Sequence, residues 1–168
     1  MAYSVGDTVV YPHHGAAVIE KTEERELSGE TREYLVLRLT YGDLTVMVPA
    51  DSCEEVGIRD VVSKRQVEDV LDVLRTPEGK APANWSRRFK ANAERLRSGD
   101  IFQVAEVVRN LVTRQCDNGL SAGERRLLAK AKQILLSELA IAMRKDEDRA
   151  DRAITDVLVQ AHGIELED

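Results

Sequence analysis

The positions of hydrophobic and polar residues divide the chain into a strand-rich first third and a helical remainder. In the first fifty residues, β-branched and apolar residues recur in four short runs, which are 7–11 (DTVVY), 16–22 (AAVIEKT), 31–39 (TREYLVLRL) and 44–48 (LTVMV). In the third run, Leu35, Leu37 and Leu39 alternate with Tyr34 and Val36, which is typical of a half-buried antiparallel strand. Strands this short, joined in sequence order, predict a small twisted barrel.

From residue 63 onward, apolar residues recur at three- and four-residue spacing, which is typical of amphipathic helices. Capping-box patterns, Ser63 with Gln66 and Ser121 with Glu124, mark two helix starts, and Asp100 is the predicted N-cap of a third. The predicted helices cover about 63–75, 84–98, 101–118, 122–142 and 147–161. Between the first two, the segment 76–83 (TPEGKAPA) contains two prolines and a glycine and is predicted to be a connector.

These patterns predict an α+β chain of two domains, an N-terminal small Tudor/SH3-like β-barrel and a C-terminal all-α helical bundle. We expect the barrel in residues 1–60, a helix and connector in 61–83, and the bundle in 84–168. The length of 168 residues agrees with this division, since one domain most often contains about 100–150 residues.

Composition argues against a membrane or secreted protein. The chain is 43% apolar and 32% charged, and no stretch approaches the roughly 20 consecutive apolar residues of a membrane span. The first residues lack the pattern of a secretory signal, so we expect a cytoplasmic protein with no membrane partner. Cys53 and Cys116 lie at neither C-x-x-C nor zinc-finger spacing, and both are predicted to be buried free thiols.

The net charge of −6 conceals an uneven distribution. Residues 1–60 contain 12 acidic and 5 basic residues, 61–143 contain 10 acidic and 15 basic residues, and 144–168 contain 8 acidic and 4 basic residues. The acidic first third and the basic middle suggest two partners with different electrostatic requirements. Only the middle segment is suited to contact phosphate groups.

Motifs for catalysis are missing. The chain has no Walker A, dinucleotide-binding, zincin or nucleophile-elbow motif, so we expect neither an enzyme nor a cofactor. His13 and His14 are adjacent in a turn, where a role in the turn is favoured over metal binding. Four tyrosines could line a cage for a methylated cation, but packing in the barrel core is the stronger interpretation; they are Tyr3, Tyr11, Tyr34 and Tyr41.

The segment 84–97 (NWSRRFKANAERLR) forms an amphipathic helix with a strongly basic face. On a helical wheel at about 100° per residue, Trp85, Phe89 and Leu96 lie on one side, opposite the basic residues Arg87, Arg88, Lys90, Arg95 and Arg97. One interpretation is a surface helix with solvated charges. The other is an apolar wedge, Trp85, held on nucleic acid by phosphate contacts.

A second basic cluster lies on the predicted helix that begins at Ser121. It contains Arg125, Arg126, Lys130 and Lys132, of which Lys132 falls between the apolar rows. Alone, such a cluster is typical of a solvated helix face. Beside the first cluster it would extend a basic surface over a few phosphates, with weak, salt-sensitive and non-specific affinity.

Several segments together resemble the CarD (CdnL) family of bacterial transcription regulators. The similarity extends from about Val5 to Leu139 and includes the segments VGDTVVYPHHGAAVIE, GDLTVMVPA, VGIRDVV, NWSRRFKAN, AEVVRNL and GLSAGERRLLAKAKQIL. The family's β module also occurs in the transcription-repair coupling translocase, but this chain has none of that enzyme's helicase motifs. The resemblance therefore indicates the small regulator.

The resemblance implies a Tudor-like domain that binds the RNA polymerase β subunit and a helical domain that contacts promoter DNA without sequence specificity. It implies that the open promoter complex is stabilised, with Trp85 as a wedge in the minor groove at the upstream edge of the bubble. The polymerase contacts fall on Arg25 and Met47. Several relatives carry a basic residue at the position of Met47, so an apolar contact would replace an ionic one. We expect the free protein to be monomeric.

A different class remains open, a protein-interaction adaptor whose helices do not bind DNA. The adaptor predicts that Trp85 is packed in the core and that its replacement by alanine costs about 3–5 kcal/mol. The DNA-binding alternative predicts that the Trp85→Ala protein remains folded but loses the stabilisation of the open complex.

Overall fold

The computed structural model describes residues 3–166, which divide into two compact units between Val61 and Val62. The first unit contains β1 (Thr8–Tyr11), β2 (Gly15–Leu27), β3 (Glu30–Leu39), β4 (Thr45–Pro49), a 3-10 turn (Ala50–Ser52), α1 (Cys53–Val56) and β5 (Arg59–Asp60). The second contains α2 (Lys64–Arg75), α3 (Trp85–Arg97), α4 (Ile101–Asn118), α5 (Ala122–Met143) and α6 (Glu147–His162). The predicted α+β fold class with two domains is confirmed.

The β unit is a five-stranded antiparallel sheet in the order β4-β3-β2-β1-β5. All four predicted strands are present, and β2 continues to Leu27, five residues beyond its predicted end. The β2–β3 hairpin extends past β4, because β4 pairs only with residues Tyr34 to Arg38 of β3. The fifth strand was not predicted, since two residues are too few to show an alternating pattern.

The core of the β unit lies on the side of β3 that carries Leu35, Leu37 and Leu39; the alternation predicted that these residues share one side of the strand. Tyr3 and Tyr11 pack against this core. Tyr34 lies at an even position of β3 and therefore on the opposite side of the sheet, so these tyrosines do not form the cation cage considered above.

The helical unit has one core, to which α2 contributes Val67, Val70, Leu71 and Leu74. The sequence analysis grouped this helix with the connector, in residues 61–83, and began the bundle at residue 84. In the structure the apolar face of the helix is part of the bundle core, and the helical unit begins at Val62. Both predicted capping boxes are present, at the starts of α2 and α5. No helix in the described part of the chain is both long and apolar enough to cross a membrane.

The two cysteines differ in exposure. Cys53 is a buried free thiol, and burial raises its pKa, with Asp51 adding to the effect. Cys116 is also free but exposed, so the prediction of a second buried thiol is wrong. The reason is its position in the last turn of α4, beyond Val112, where the buried face of that helix ends.

Polar side chains inside the bundle connect α2, α3 and α4. The Arg109 guanidinium donates to the carbonyl oxygen of Val73 at 3.2 Å and to Asn110 Oδ1 at 3.1 Å. Asn110 Nδ2 in turn donates to Asn92 Oδ1 at 3.2 Å. Because buried polar groups are costly without partners, this network fixes the position of α3 against its neighbours.

Candidate functional site

The tryptophan of the predicted wedge is the first residue of α3. Its helix is capped by Asn84, whose side chain accepts a hydrogen bond from the backbone N–H of Arg87 at 3.2 Å. The buried residues of α3 are Asn92 and Leu96, two and three turns further along. Trp85 is 45% exposed, so the core position that the adaptor alternative predicted is wrong.

The exposed indole is held by two contacts. Its Nε1–H donates to Glu124 Oε1 at 3.0 Å. Its ring stacks on Phe89, with 5.3 Å between ring centroids and 18° between ring planes. Phe89 in turn lies against Gly123, where a Cβ added to the glycine would stand 3.4 Å from Phe89 Cε2. The first turns of α3 and α5 are therefore adjacent.

Glu124 is a buried carboxylate, only 3% exposed. It accepts from the backbone N–H of Ser121 at 3.2 Å, and its Oε2 lies 3.7 Å from Arg114 Nε. Desolvation by itself would raise the pKa of this carboxyl, but hydrogen bonds from Ser121 and Trp85, together with the Arg114 charge, lower the pKa below its ordinary value. Glu124 is therefore ionised at neutral pH.

The contact between the two first turns brings part of both basic clusters together. Arg87 and Lys90 follow Trp85 in the chain on α3, and Arg125 and Arg126 follow Glu124 on α5; all four are exposed, so each helix has exposed basic residues within two turns of the contact. The first turns of α3 and α5 are capped, since Asn84 and Ser121 accept the backbone N–H groups of Arg87 and Glu124. The feature of this region that favours an anion such as phosphate is therefore its exposed basic side chains.

Other predicted residues have partners within the protein. Arg88 is half-buried, and its Nη1 donates to the carbonyl oxygens of Pro82 at 3.3 Å and Ala83 at 2.8 Å. Arg95 pairs with Glu106 at 3.2 Å. These contacts tie the connector and α4 to α3, so Arg88 and Arg95 have structural roles that the sequence did not indicate.

The remaining basic residues lie away from Trp85. Arg97 is the last residue of α3, about 18 Å along the helix axis from Trp85. Lys130 lies six residues after Glu124, about 9 Å along α5, and is half-buried. Lys132 pairs with Asp151 of α6 at 3.3 Å. Among the exposed basic residues of α3 and α5, four lie in the first two turns of their helices, and Arg97 lies at the end of α3.

In the β unit, the predicted polymerase-binding residues share one side of the sheet. In the strand register, Arg25 of β2 lies directly opposite Arg32 of β3, and Met47 of β4 lies directly opposite Val36 of β3. Because Arg32 and Val36 are four residues apart on β3, the side chains point to the same side, about 13 Å apart along the strand. This side is opposite the core residues Leu35 and Leu37.

Charge around Arg25 is partly balanced. Arg25 Nη2 lies 3.5 Å from Glu23, and the neighbouring Arg32 pairs with Asp51 at 2.9 Å. Arg25 and Glu23 are both only partly covered, so this ion pair is weak and open to competition by a partner.

Glu124 is a residue of the candidate site that the sequence analysis did not identify. The pattern Ser121-x-x-Glu124 was recognised as a helix start, which is a local role. Nothing in its spacing indicates that the same carboxylate accepts a bond from a residue 39 positions earlier. No group of three or more potential metal ligands occurs among residues 3–166.

Comparison with known proteins defines the family to which this chain belongs. Residues 3–62 match the CarD-like/TRCF RID domain, and residues 69–155 match the CarD C-terminal domain. The first match covers the β unit, and the second covers most of the helical unit. The chain belongs to the CarD family, which supports a role in transcription regulation.

A relative that aligns with most of the chain agrees with this assignment. The chain is 33% identical over 139 residues to YdeB of Bacillus subtilis (strain 168), a candidate transcription factor by name; the alignment covers 83% of this chain and 91% of YdeB. It is 29% identical to the 72-residue N-terminal domain of Myxococcus xanthus CarD, known from a solution NMR structure. That comparison covers 35% of this chain and 79% of the domain, with a TM-score of 0.31.

Proposed function

We propose that this protein is a transcription regulator that stabilises the open promoter complex. Its β unit binds the β subunit of RNA polymerase through Arg25 and Met47, and its helical unit binds promoter DNA at the upstream edge of the bubble without reading sequence. It acts as a monomer, without catalysis or a cofactor, in the cytoplasm, where polymerase brings it to the nucleoid.

The exposed Trp85 carries the proposal. Large aromatic residues are usually mostly buried, yet this indole is 45% exposed on a helix whose neighbouring residues Arg87 and Lys90 are also exposed. An apolar group of this kind can insert at a distorted base step while basic residues contact the flanking phosphates. Such a step is present when the duplex opens, so insertion favours the open state. A preference of about 1.4 kcal/mol would shift the equilibrium tenfold.

The modest number of exposed basic residues fits a protein that needs a second contact. Each phosphate contact contributes about −0.9 to the slope of log affinity against log salt concentration, so Arg87, Lys90, Arg125 and Arg126 give limited affinity. Binding to polymerase would raise the local concentration of the helical unit near DNA to about the millimolar range. Arg88, Arg95, Arg97 and Lys130 complete the proposed set of DNA-binding residues.

The decisive experiment measures the lifetime of open complexes after a competitor is added, with and without the protein. We expect the wild type to prolong the lifetime and Trp85→Ala, checked to be folded by circular dichroism, to lose most of this effect. A wild type without effect would contradict the proposal and favour the adaptor.

The DNA contacts of α3 can be compared with basic residues of another helix. Arg87→Ala/Lys90→Ala should reduce the magnitude of the salt slope by about 2, because both residues follow Trp85 in the first two turns of α3. Lys64→Ala/Arg65→Ala removes the same charge from exposed residues of α2 outside the proposed set and serves as the matched control, with a smaller expected change. An equal change in both variants would contradict the localisation of the DNA contact.

The polymerase contact requires its own test. Arg25→Glu and Met47→Asp should each weaken binding to the isolated β subunit while leaving DNA affinity unchanged. Arg65→Glu, an exposed residue of α2, provides the same change of charge as Arg25→Glu and should leave β-subunit binding intact. Loss of both binding activities in Arg25→Glu would contradict the division of labour between the two units.

A further inference from the structure

We propose that Glu124 is a positioning residue for Trp85, holding the exposed indole in the orientation in which it inserts into DNA. The inference rests on the proposed function and extends it to a second residue. The geometry that supports it is the hydrogen bond of 3.0 Å from Trp85 Nε1 to Glu124 Oε1 and the stack of Trp85 on Phe89.

An exposed side chain normally loses conformational freedom when it binds, and this loss reduces affinity. Here the indole is already restrained before DNA arrives. A hydrogen bond to an ionised acceptor is about twice as strong as one between neutral groups. The bond to Glu124 and the stack on Phe89 therefore pre-organise the wedge.

A carboxylate beside a DNA-binding residue would ordinarily repel phosphate. Glu124 avoids this because it is 3% exposed and its second oxygen faces Arg114 at 3.7 Å. Ser121 supplies a further hydrogen bond to Oε1. Glu124 thus offers a strong acceptor to Trp85 while its charge is covered and balanced.

The bond also affects what the wedge can recognise. The indole Nε1–H is the only hydrogen-bonding group of a tryptophan side chain, and in this protein it is already used by Glu124. One ring face is covered by Phe89, so the other face and the carbon edge remain for DNA. These surfaces are apolar and carry no donor for a base edge, which agrees with binding that does not depend on sequence.

Trp85 is the only tryptophan of the chain, so intrinsic fluorescence and the indole N–H resonance report this contact directly. In the wild type, we expect the indole N–H to exchange with solvent at least about tenfold more slowly than in a free tryptophan. An exchange rate equal to that of free tryptophan would overturn the inference, and this measurement does not depend on whether any variant folds.

Variants at position 124 test the role of the acceptor. Glu124→Gln retains an oxygen that can accept from the indole and should retain the protection from exchange and the fluorescence anisotropy. Glu124→Ala should lose the protection, lower the anisotropy and raise acrylamide quenching about twofold. Ser121→Ala is the matched control, because it weakens the same helix start and leaves the Glu124 acceptor in place. A Ser121→Ala change as large as that of Glu124→Ala would overturn the inference.

Open-complex lifetimes then separate the inference from the proposed function. We expect Glu124→Ala to lose a large part of the stabilisation that Trp85→Ala loses, and Glu124→Gln to keep most of it. If Trp85→Ala shortens the lifetime and a folded Glu124→Ala does not, the positioning role is overturned and the proposed function stands. If Trp85→Ala itself has no effect, the wedge fails, and the positioning role in DNA insertion fails with it.

Discussion

The helices α2 and α5 begin with the same capping box, yet the two boxes have different surroundings. At the start of α2, Ser63 and Gln66 satisfy each other's backbone N–H groups, and both residues are exposed. At the start of α5, Ser121 and Glu124 form the same pair of hydrogen bonds. There, however, the side chain of Glu124 is buried and also accepts from Trp85.

This difference shows that one local motif can have a purely local role or a tertiary role. A neutral, exposed glutamine needs no partner beyond its own helix. A buried carboxylate requires further hydrogen bonds and an opposite charge, which Trp85 and Arg114 supply. The box of α5 therefore connects three helices, and substitutions at equivalent positions of the two boxes should have unequal effects.

The largest difference is expected at the third residue after the cap. Glu124→Ala should reduce the free energy of unfolding by about 2–4 kcal/mol, because it removes a cap and leaves Arg114 without its ion-pair partner. Gln66→Ala should cost about 1 kcal/mol or less, since only a cap is lost. Urea denaturation measures both, and equal losses would contradict the tertiary role of the second box.

A smaller effect is expected at the cap residue itself. Ser121→Ala and Ser63→Ala should each cost about 1 kcal/mol, because each hydroxyl accepts one backbone N–H at 3.2 Å. The same denaturation series provides the measurement. If Ser121→Ala costs several times more than Ser63→Ala, the hydroxyl of Ser121 also takes part in the tertiary contact.

Low pH should reduce the stability that the capping box of α5 contributes and leave the contribution of the capping box of α2 unchanged. The pKa of Glu124 is lowered in the folded protein, so its stabilising contribution is present above its ordinary pKa of 4.5 and is lost as the pH falls through the lower folded value. The stability difference between wild type and Glu124→Gln should therefore shrink below pH 4.5. The facing groups are Trp85, Ser121 and Arg114. Denaturation at several acidic pH values tests this, with Gln66→Ala as the pH-independent control.

The smallest effect is expected at the second residue of each helix. Gly123→Ala should stabilise the protein by less than about 1 kcal/mol, because alanine favours a helix over glycine. The added Cβ would lie 3.4 Å from Phe89, an ordinary contact distance. Arg65→Ala, at the equivalent position of α2, should change stability by only about 0.2 kcal/mol. Thermal unfolding measures both; destabilisation by Gly123→Ala would mean that Phe89 and Trp85 are packed more tightly than the geometry indicates.

Much of the fold followed from local patterns. The alternation in β3 predicted which residues share a side of the strand, and the caps at Ser63, Asp100 and Ser121 predicted helix starts that the structure confirms. Cys116 was placed wrongly because the buried face of α4 ends at Val112, before the helix itself ends, and the packing that sets this limit is not contained in the sequence of α4 alone.

The candidate site was predictable in its residue types and only partly in its geometry. The exposed tryptophan and the basic residues were identified from one segment. The sequence did not indicate that Arg88 and Arg95 bond to the connector carbonyls and to Glu106, respectively. The partners of a long flexible side chain depend on which groups the packed bundle brings within reach.

The sequence by itself determined the two kinds of structure, the helix starts, the two basic segments and the family, because each is encoded in short-range periodicity, capping or residue identity. Only the tertiary structure decided that the starts of α3 and α5 meet and that Glu124 holds Trp85. The physical reason is that a hydrogen bond between residues 39 positions apart depends on how the helices pack, and packing is a property of the whole core.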